Sequence, residues 1–123
     1  MLANSDEPTP RNRRRDCLAF DVLDLLQSEP ALSQRKIAER LDMSLGQVND
    51  FLKMFSKEQW IERVGSHGNG SHHVESYLLT DQGLAARSAL GLRILPIKLS
   101  EFSRLRQQIE RLSGSPAPDD THY

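Results

Sequence analysis

Two short apolar stripes, each preceded by its own serine and parted by only three residues, restrict this chain more than any other feature. Ser33 stands before QRKIAERL, where Ile37, Ala38 and Leu41 fall on one helical face and the serine oxygen can cap the first free amides. Asp42, Met43 and Ser44 make the connection. Ser44 followed by Gln47 then forms a capping box, in which each residue satisfies an amide of the other. That box opens a longer helix, reaching about Glu58, with Leu45, Val48, Phe51, Leu52 and Phe55 on its inward side. A short helix, a tight turn and a freshly capped longer helix make a helix-turn-helix.

The flanks complete the unit. CLAFDVLDLLQS places Leu18, Val22, Leu25 and Leu26 on one face of a preceding helix. Asp16 is its expected N-cap, and Glu29-Pro30 its end, since the residue before proline avoids the helical region. After the third helix come a bulky run from Trp60 to Val64 and an alternating run from Val74 to Thr80. GSHGNGSHH lies between them, and its Asn69-Gly70 pair suits the positive φ angles of a tight hairpin. Three helices and a hairpin make a winged helix. Thr80 caps a further helical stretch, DQGLAARSALGLRIL, which Pro96 is expected to interrupt before IKLSEFSRLRQQIERL continues. There Leu95, Leu99, Phe102, Leu105, Ile109 and Leu112 recur at spacings of 4, 3, 3, 4 and 3, close to a heptad seam.

The expected fold class is therefore mainly α with a small β-hairpin wing: a winged helix-turn-helix followed by C-terminal dimerisation helices. The expected organisation is a disordered basic arm over 1–15, the winged helix-turn-helix over 16–80, a helical dimerisation region over 81–112 and a disordered tail over 113–123. At 123 residues the chain has room for little more.

Charge is informative only by segment. The net charge is −1, so no global basic field announces a nucleic-acid partner. The positive charge gathers in Arg11, Arg13, Arg14 and Arg15, and again over 81–112. The arginine run reads either as a solvated tail or as an arm on DNA phosphates or in a minor groove.

LSQRKIAERLDMSLGQVNDFLKMF, the Trp60 strand and YLLTDQG together resemble the MarR-type winged-helix transcription regulators. The likeness runs over about residues 18–112, and Ser44-Leu45-Gly46-Gln47-Val48-Asn49 is most similar to the small EPS-associated subgroup. The resemblance implies a dimeric DNA-binding regulator with its third helix in the major groove and its wing on the backbone. Two positions depart from the pattern. Glu58-Gln59 stands where Lys-Gly is usual, so the helix must end differently, and the wing carries HGNGSHH where lysines are usual.

On this reading the outward positions of the third helix are Gly46, Gln47, Asn49, Asp50, Lys53, Met54 and Lys57. Gln47 and Asn49 offer the paired donor and acceptor that match adenine, Asp50 can accept from cytosine, and Lys53 suits guanine or phosphate. Gly46 lets the backbone approach DNA closely. Ser33, Gln34, Arg35 and Ser44 sit at helix N-termini, where phosphates are held, and Arg63, His67, Asn69, His72 and His73 lie along the wing. The dimer interface falls to Leu95, Leu99, Phe102, Leu105, Ile109 and Leu112.

Other chemistry finds little footing. Adjacent His72 and His73 point to opposite faces of a strand, and with His67 they lack a cysteine or carboxylate cluster, so no metal is expected. Protonation of these histidines would raise DNA affinity as pH falls from about 7.5 to about 6. Cys17 is the only cysteine, which excludes an intrachain disulfide and fits a reducing compartment. Asp16 beside it raises the thiol pKa, while a place near a helix start lowers it. There is no Gly-rich phosphate loop, nucleophile elbow or carboxylate pair on one face, so neither catalysis nor a cofactor is expected. No apolar run approaches a membrane span and the first 15 residues lack a signal-type apolar core, so the expected location is cytoplasmic. The partners expected are double-stranded DNA and a second copy, with any small-molecule effector unassigned. The rival reading is a winged helix that binds another protein and no DNA.

Overall fold

The computed structural model describes residues 9–67 and 74–114. Helix α1 spans Pro10–Ser28, α2 Gln34–Leu41 and α3 Leu45–Lys57; strands β1 (Ile61–His67) and β2 (Val74–Leu79) follow, then helix α4 (Asp81–Ser113). The strands pair antiparallel as a two-stranded sheet, from Ile61 opposite Leu79 to His67 opposite Val74. Val64 is the extra residue of a bulge between Arg63 and Gly65, and its side chain turns to solvent. The hairpin thus follows the helix-turn-helix as expected, while its Asn69-Gly70 turn lies outside the described residues.

Three caps fall where hydroxyl residues were expected to place them. Ser33 Oγ accepts from the Lys36 amide at 3.1 Å, Ser44 Oγ from the Gln47 amide at 3.1 Å, and Thr80 Oγ1 from the Gly83 amide at 3.0 Å. The Gln47 side chain completes the box by accepting from the Ser44 amide at 3.0 Å. Helix α1 ends at Glu29, as the following proline requires.

Two element boundaries differ from expectation. Helix α1 starts at Pro10, capped by Thr9, whose hydroxyl accepts from the Asn12 amide at 3.0 Å. Proline suits the first helical position, because its missing N–H would have no helical partner there. The arginine run is therefore helical, and the expected disordered arm gives way by residue 10. Asp16 is not a cap; its carboxylate pairs with Arg93 of α4 at 2.9 Å. At the other end, Pro96 does not divide the C-terminal region, and α4 runs through it as one helix of 33 residues. Its missing N–H leaves the Leu92 carbonyl unpaired in the helix, at a residue exposed enough for water to serve it.

The core lies where α1, α2, α3 and the base of the hairpin meet. Phe55, Leu23, Leu26, Ile37, Val22 and Val48 are fully buried there. Phe55 links two neighbours, with ring centroids 5.7 Å from Phe51 and 5.5 Å from Trp60. Leu45 does not join this side. It is the first residue of α3, lies outside the core cluster, and 49% of it is exposed.

The joint between α3, the hairpin and α4 is built on backbone contacts. Gln59 takes a left-handed φ of 63°, the conformation a glycine would hold at that point, so the chain turns without the glycine of the usual pattern. The Trp60 carbonyl accepts from the Thr80 amide at 2.9 Å, and the Thr80 hydroxyl donates to the Gln59 carbonyl at 2.5 Å. Gly83 completes the joint, since a Cβ there would lie 1.9 Å from the Trp60 carbonyl oxygen. The glycine of YLLTDQG is thus a packing requirement.

Helix α4 packs its first half on α1. Arg87 pairs with Asp24 and lies over the Phe20 ring, 5.2 Å from its centroid. Leu90 and Ile94 are buried, and Gly91 approaches Phe20 closely. Beyond Ile97 the helix becomes exposed throughout 98–113 apart from half-buried Glu101, with Lys98, Ser100, Glu101 and Arg104 still bordering α1 across an open groove.

Candidate nucleic-acid interface

The capping box fixes where α3 begins and therefore which side chains its first turns present. Gly46, Gln47, Asp50, Lys53 and Lys57 are exposed, with Leu45 beside them. Asn49 is half-buried, and Met54 packs against the core, so the outward face is narrower than the periodicity suggested. A Cβ on Gly46 would meet nothing within 4 Å. No packing inside the chain demands glycine there, and it leaves the helix backbone open to an external surface.

Gln47 has two roles that share one side chain. Its carbonyl oxygen accepts from the Ser44 amide, which leaves one lone pair and the NH2 group to meet a base. The cap thereby restricts the orientation in which the amide can be offered to adenine. Leu45, assigned inward by spacing, instead adds an apolar surface of the kind that meets a thymine methyl.

The expected phosphate contacts are placed unevenly. Ser33 and Ser44 present helix N-termini at their caps, and Arg35 is exposed. Gln34 is half-buried, with its side chain near the Tyr77 hydroxyl. On the hairpin, Arg63 pairs with Glu75 at 2.6 Å, and the Tyr77 hydroxyl donates to the other Glu75 oxygen at 3.0 Å. Burial, helped by Glu75, pushes the Tyr77 phenol above its usual pKa, so it remains a neutral donor. Glu75 thus offsets the charge that Arg63 would bring to a phosphate. His67 ends β1, whereas Asn69, His72 and His73 lie outside the described residues.

The arginine run, expected either as a solvated tail or as an arm on DNA, borders α3 directly. Arg11, Arg14, Arg15 and Leu18 of α1 and Gln47, Asp50, Phe51 and Met54 of α3 line one open groove of about 420 Å3. The clue in the sequence was the 3-1-3 spacing of Arg11, Arg14, Arg15 and Leu18, which makes one helical face once the segment is helical.

Cys17 lies well inside α1, away from its positive end, and lines a second groove against α4. Burial raises its thiol pKa; Lys98 opposes this, and Glu101, Asp21 and Asp16 reinforce it. The expected lowering by a helix start is absent, because the helix begins at Pro10. Among the described residues no group of three or more His, Cys, Asp or Glu is placed to hold a metal ion. No described helix is long and apolar enough to cross a membrane.

The six residues of the heptad seam lie along α4 from near its middle to its C-terminal end. Leu95, Leu99, Phe102, Leu105 and Ile109 are between 49% and 59% exposed, and Leu112 is 80% exposed. Such a stripe in water stands unburied within a single chain.

Residues 16–62 match a family described as winged helix-turn-helix DNA-binding. No curated protein matches the chain in sequence. Among solved structures it is similar to the PcaV transcriptional regulator from Streptomyces coelicolor, at 23% identity and TM-score 0.59, covering 79% of this chain and 76% of that one. PcaV in complex with its natural ligand aligns over 93% and 96% of the two chains, at 20% identity and TM-score 0.59. A zinc-responsive MarR family member, ZitR of Lactococcus lactis, is 21% identical over 74% of this chain and 60% of that one, at TM-score 0.55. MepR, a transcription regulator of the Staphylococcus aureus multidrug efflux pump MepA, is 18% identical over 79% and 71%, at TM-score 0.50. At these identities the likeness is one of fold. The chain is a winged helix-turn-helix protein with a long C-terminal helix, the fold of these regulators.

Proposed function

We propose that this protein is a sequence-specific, double-stranded DNA-binding transcription regulator that acts as a homodimer. Helix α3 enters the major groove, the hairpin lies on the backbone, and no catalysis takes part. The observation that carries this reading is the start of α3: a capped helix whose Gly46, Gln47 and Asp50 are exposed, with no described residue within 4 Å of a Cβ placed on Gly46. Ser33, Arg35 and Ser44 serve as positioning contacts, and Asn49 and Lys53 extend the reading face. Gln34, Arg63 and the wing residues His67, Asn69, His72 and His73 complete the expected contact set. A cytoplasmic location suits such an activity. Kinship with the EPS-associated subgroup rests on Ser44-Leu45-Gly46-Gln47-Val48-Asn49, together with the YLLTDQG joint.

The dimer follows from the bare seam. Burying a leucine-sized side chain contributes about 1.5–3 kcal/mol, so leaving Leu95, Leu99, Phe102, Leu105, Ile109 and Leu112 in water forfeits a large stabilisation that a second copy supplies. Selection of fragmented source-genome DNA on the purified protein tests the whole reading. The expected product is a palindromic site with half-sites about 34–36 Å apart or a multiple of that distance. No enrichment at low salt would contradict DNA binding and favour the protein-interaction alternative.

A further inference from the structure

The N-terminal turns of α1 carry a charge pattern that runs against helix electrostatics. The aligned peptide dipoles leave the N-terminus positive, and acidic residues belong there. Here the first turn has no acidic residue, while Arg11, Arg14 and Arg15 crowd the positive end. Among the described residues none of these three arginines has an ion-pair partner, and the neighbouring Asp16 is taken by Arg93 of α4. All three are exposed. A local rule broken without compensation inside the chain marks a site whose compensation lies outside it.

The position of this ridge identifies what lies outside. Arg11, Arg14 and Arg15 form one wall of the open groove whose other wall is Gln47 and Asp50, on the exposed face of α3. Leu18, Phe51 and Met54 also line it and hold the two helices at a set spacing. We infer that this groove seats the phosphate strand bordering the major groove that α3 enters, with Arg11, Arg14 and Arg15 as its phosphate ligands. The inference rests on the DNA-binding reading above and adds a contact site to it.

The dimensions and charges agree with that occupant. Arg11 and Arg15 are separated by a helical rise of about 6 Å. Successive phosphates of one strand advance about 3.4 Å along the duplex, so the ridge spans two or three of them. Asp50 repels phosphate from the α3 wall, and the arginines attract it to the α1 wall. The backbone is thereby held to one side and the base edges are left to α3. The ridge also supplies charge that the hairpin lacks, since Glu75 already pairs Arg63. Arg13 is set apart from this role, since it lines only the groove between α1 and α4, whereas Arg14 borders both grooves.

The test compares the full chain with the triple variant R11Q/R14Q/R15Q on the selected DNA site and on unrelated duplexes, titrated across KCl concentration. Each lost phosphate contact makes the slope of log affinity against log salt shallower by about 0.9, so a change of about 2–3 per bound protomer is expected. Affinity should fall on all duplexes alike and the selected motif should be unchanged, because phosphate carries no sequence. Thermal melting of the free variant should be unchanged or higher, since the arginines oppose the helix end they sit on. The single variant Arg15→Gln, with a slope change of about 1, keeps the question open to test if the triple variant folds poorly. An unchanged slope with wild-type binding intact would overturn the ridge and leave the DNA-binding reading standing. A changed motif with an unchanged slope would also overturn it, by assigning the arginines to bases. Wild-type protein that binds no duplex at low salt would overturn both.

Discussion

Gly46 and Gly83 show how the same residue type answers to different demands. Gly83 is buried against the Trp60 carbonyl, with no room for a methyl group. Gly83→Ala should destabilise the protein by at least about 2–3 kcal/mol, read as a fall in melting temperature, because backbone rather than a flexible side chain must yield. Gly46 is surrounded by open space on an exposed helix. Gly46→Ala should raise stability by about 1 kcal/mol through helix propensity and weaken DNA binding. A variant that gained stability and kept full DNA affinity would remove Gly46 from the interface. Gln47 illustrates a limit of reading residue types alone. Its spacing from Ser44 announces the cap, while its chemistry also suits adenine, and the cap occupies one of the two lone pairs of the oxygen that both roles share.

At the scale of elements, hydroxyl caps were the most legible signals, and Ser33, Ser44 and Thr80 each start a helix where their side chains predict. These signals are local, so a single sequence contains them whole. The start of α1 was misjudged because both Asp16 and the Thr9-Pro10 pair can open a helix, and the choice depends on Arg93, which draws Asp16 across to α4. Pro96 was read as a break for a similar reason, since propensity weighs the lost hydrogen bond but not the solvent available beside Leu92. The inward assignment of Leu45 failed because periodicity does not say where the core cluster ends. The groove between α1 and α4 gives a pH test of that interface. Burial raises the Asp21 carboxyl pKa, with Lys98 opposing and Asp24 reinforcing. An acid whose folded pKa is raised weakens the fold while it is ionised, and this penalty fades as pH falls through its titration. Asp21→Asn should therefore raise the melting temperature at pH 7, with the gain disappearing toward pH 3. A loss at pH 7 would mean that attraction to Lys98 outweighs burial.

At the scale of the whole molecule, the chain divides its tasks along its length. A compact body of α1 to β2 presents α3, and α4 first anchors to that body and then carries an apolar stripe. The stripe is visible in the heptad spacing, and it lies exposed along a helix of 33 residues. Leu105→Glu or Ile109→Glu should yield monomers in sedimentation, with the body still folded and DNA affinity reduced by the loss of linked half-sites. A dimer that survived either substitution would place the interface elsewhere. The groove between α1 and α3 was not legible in the sequence. It depends on how the two helices pack, a tertiary fact that no local pattern encodes.

The central claim is that the exposed start of α3 reads bases. The most direct measurement is to repeat the DNA selection with Gln47→Ala and with Asp50→Ala and compare the enriched motifs with that of the wild type. The expected result is loss of base preference at one or two positions in each half-site, equivalent to about 1–3 kcal/mol per contact, with the remaining positions and the half-site spacing preserved. Motifs identical to the wild type in both variants would contradict it, because base recognition would then reside outside the face that the capping box presents.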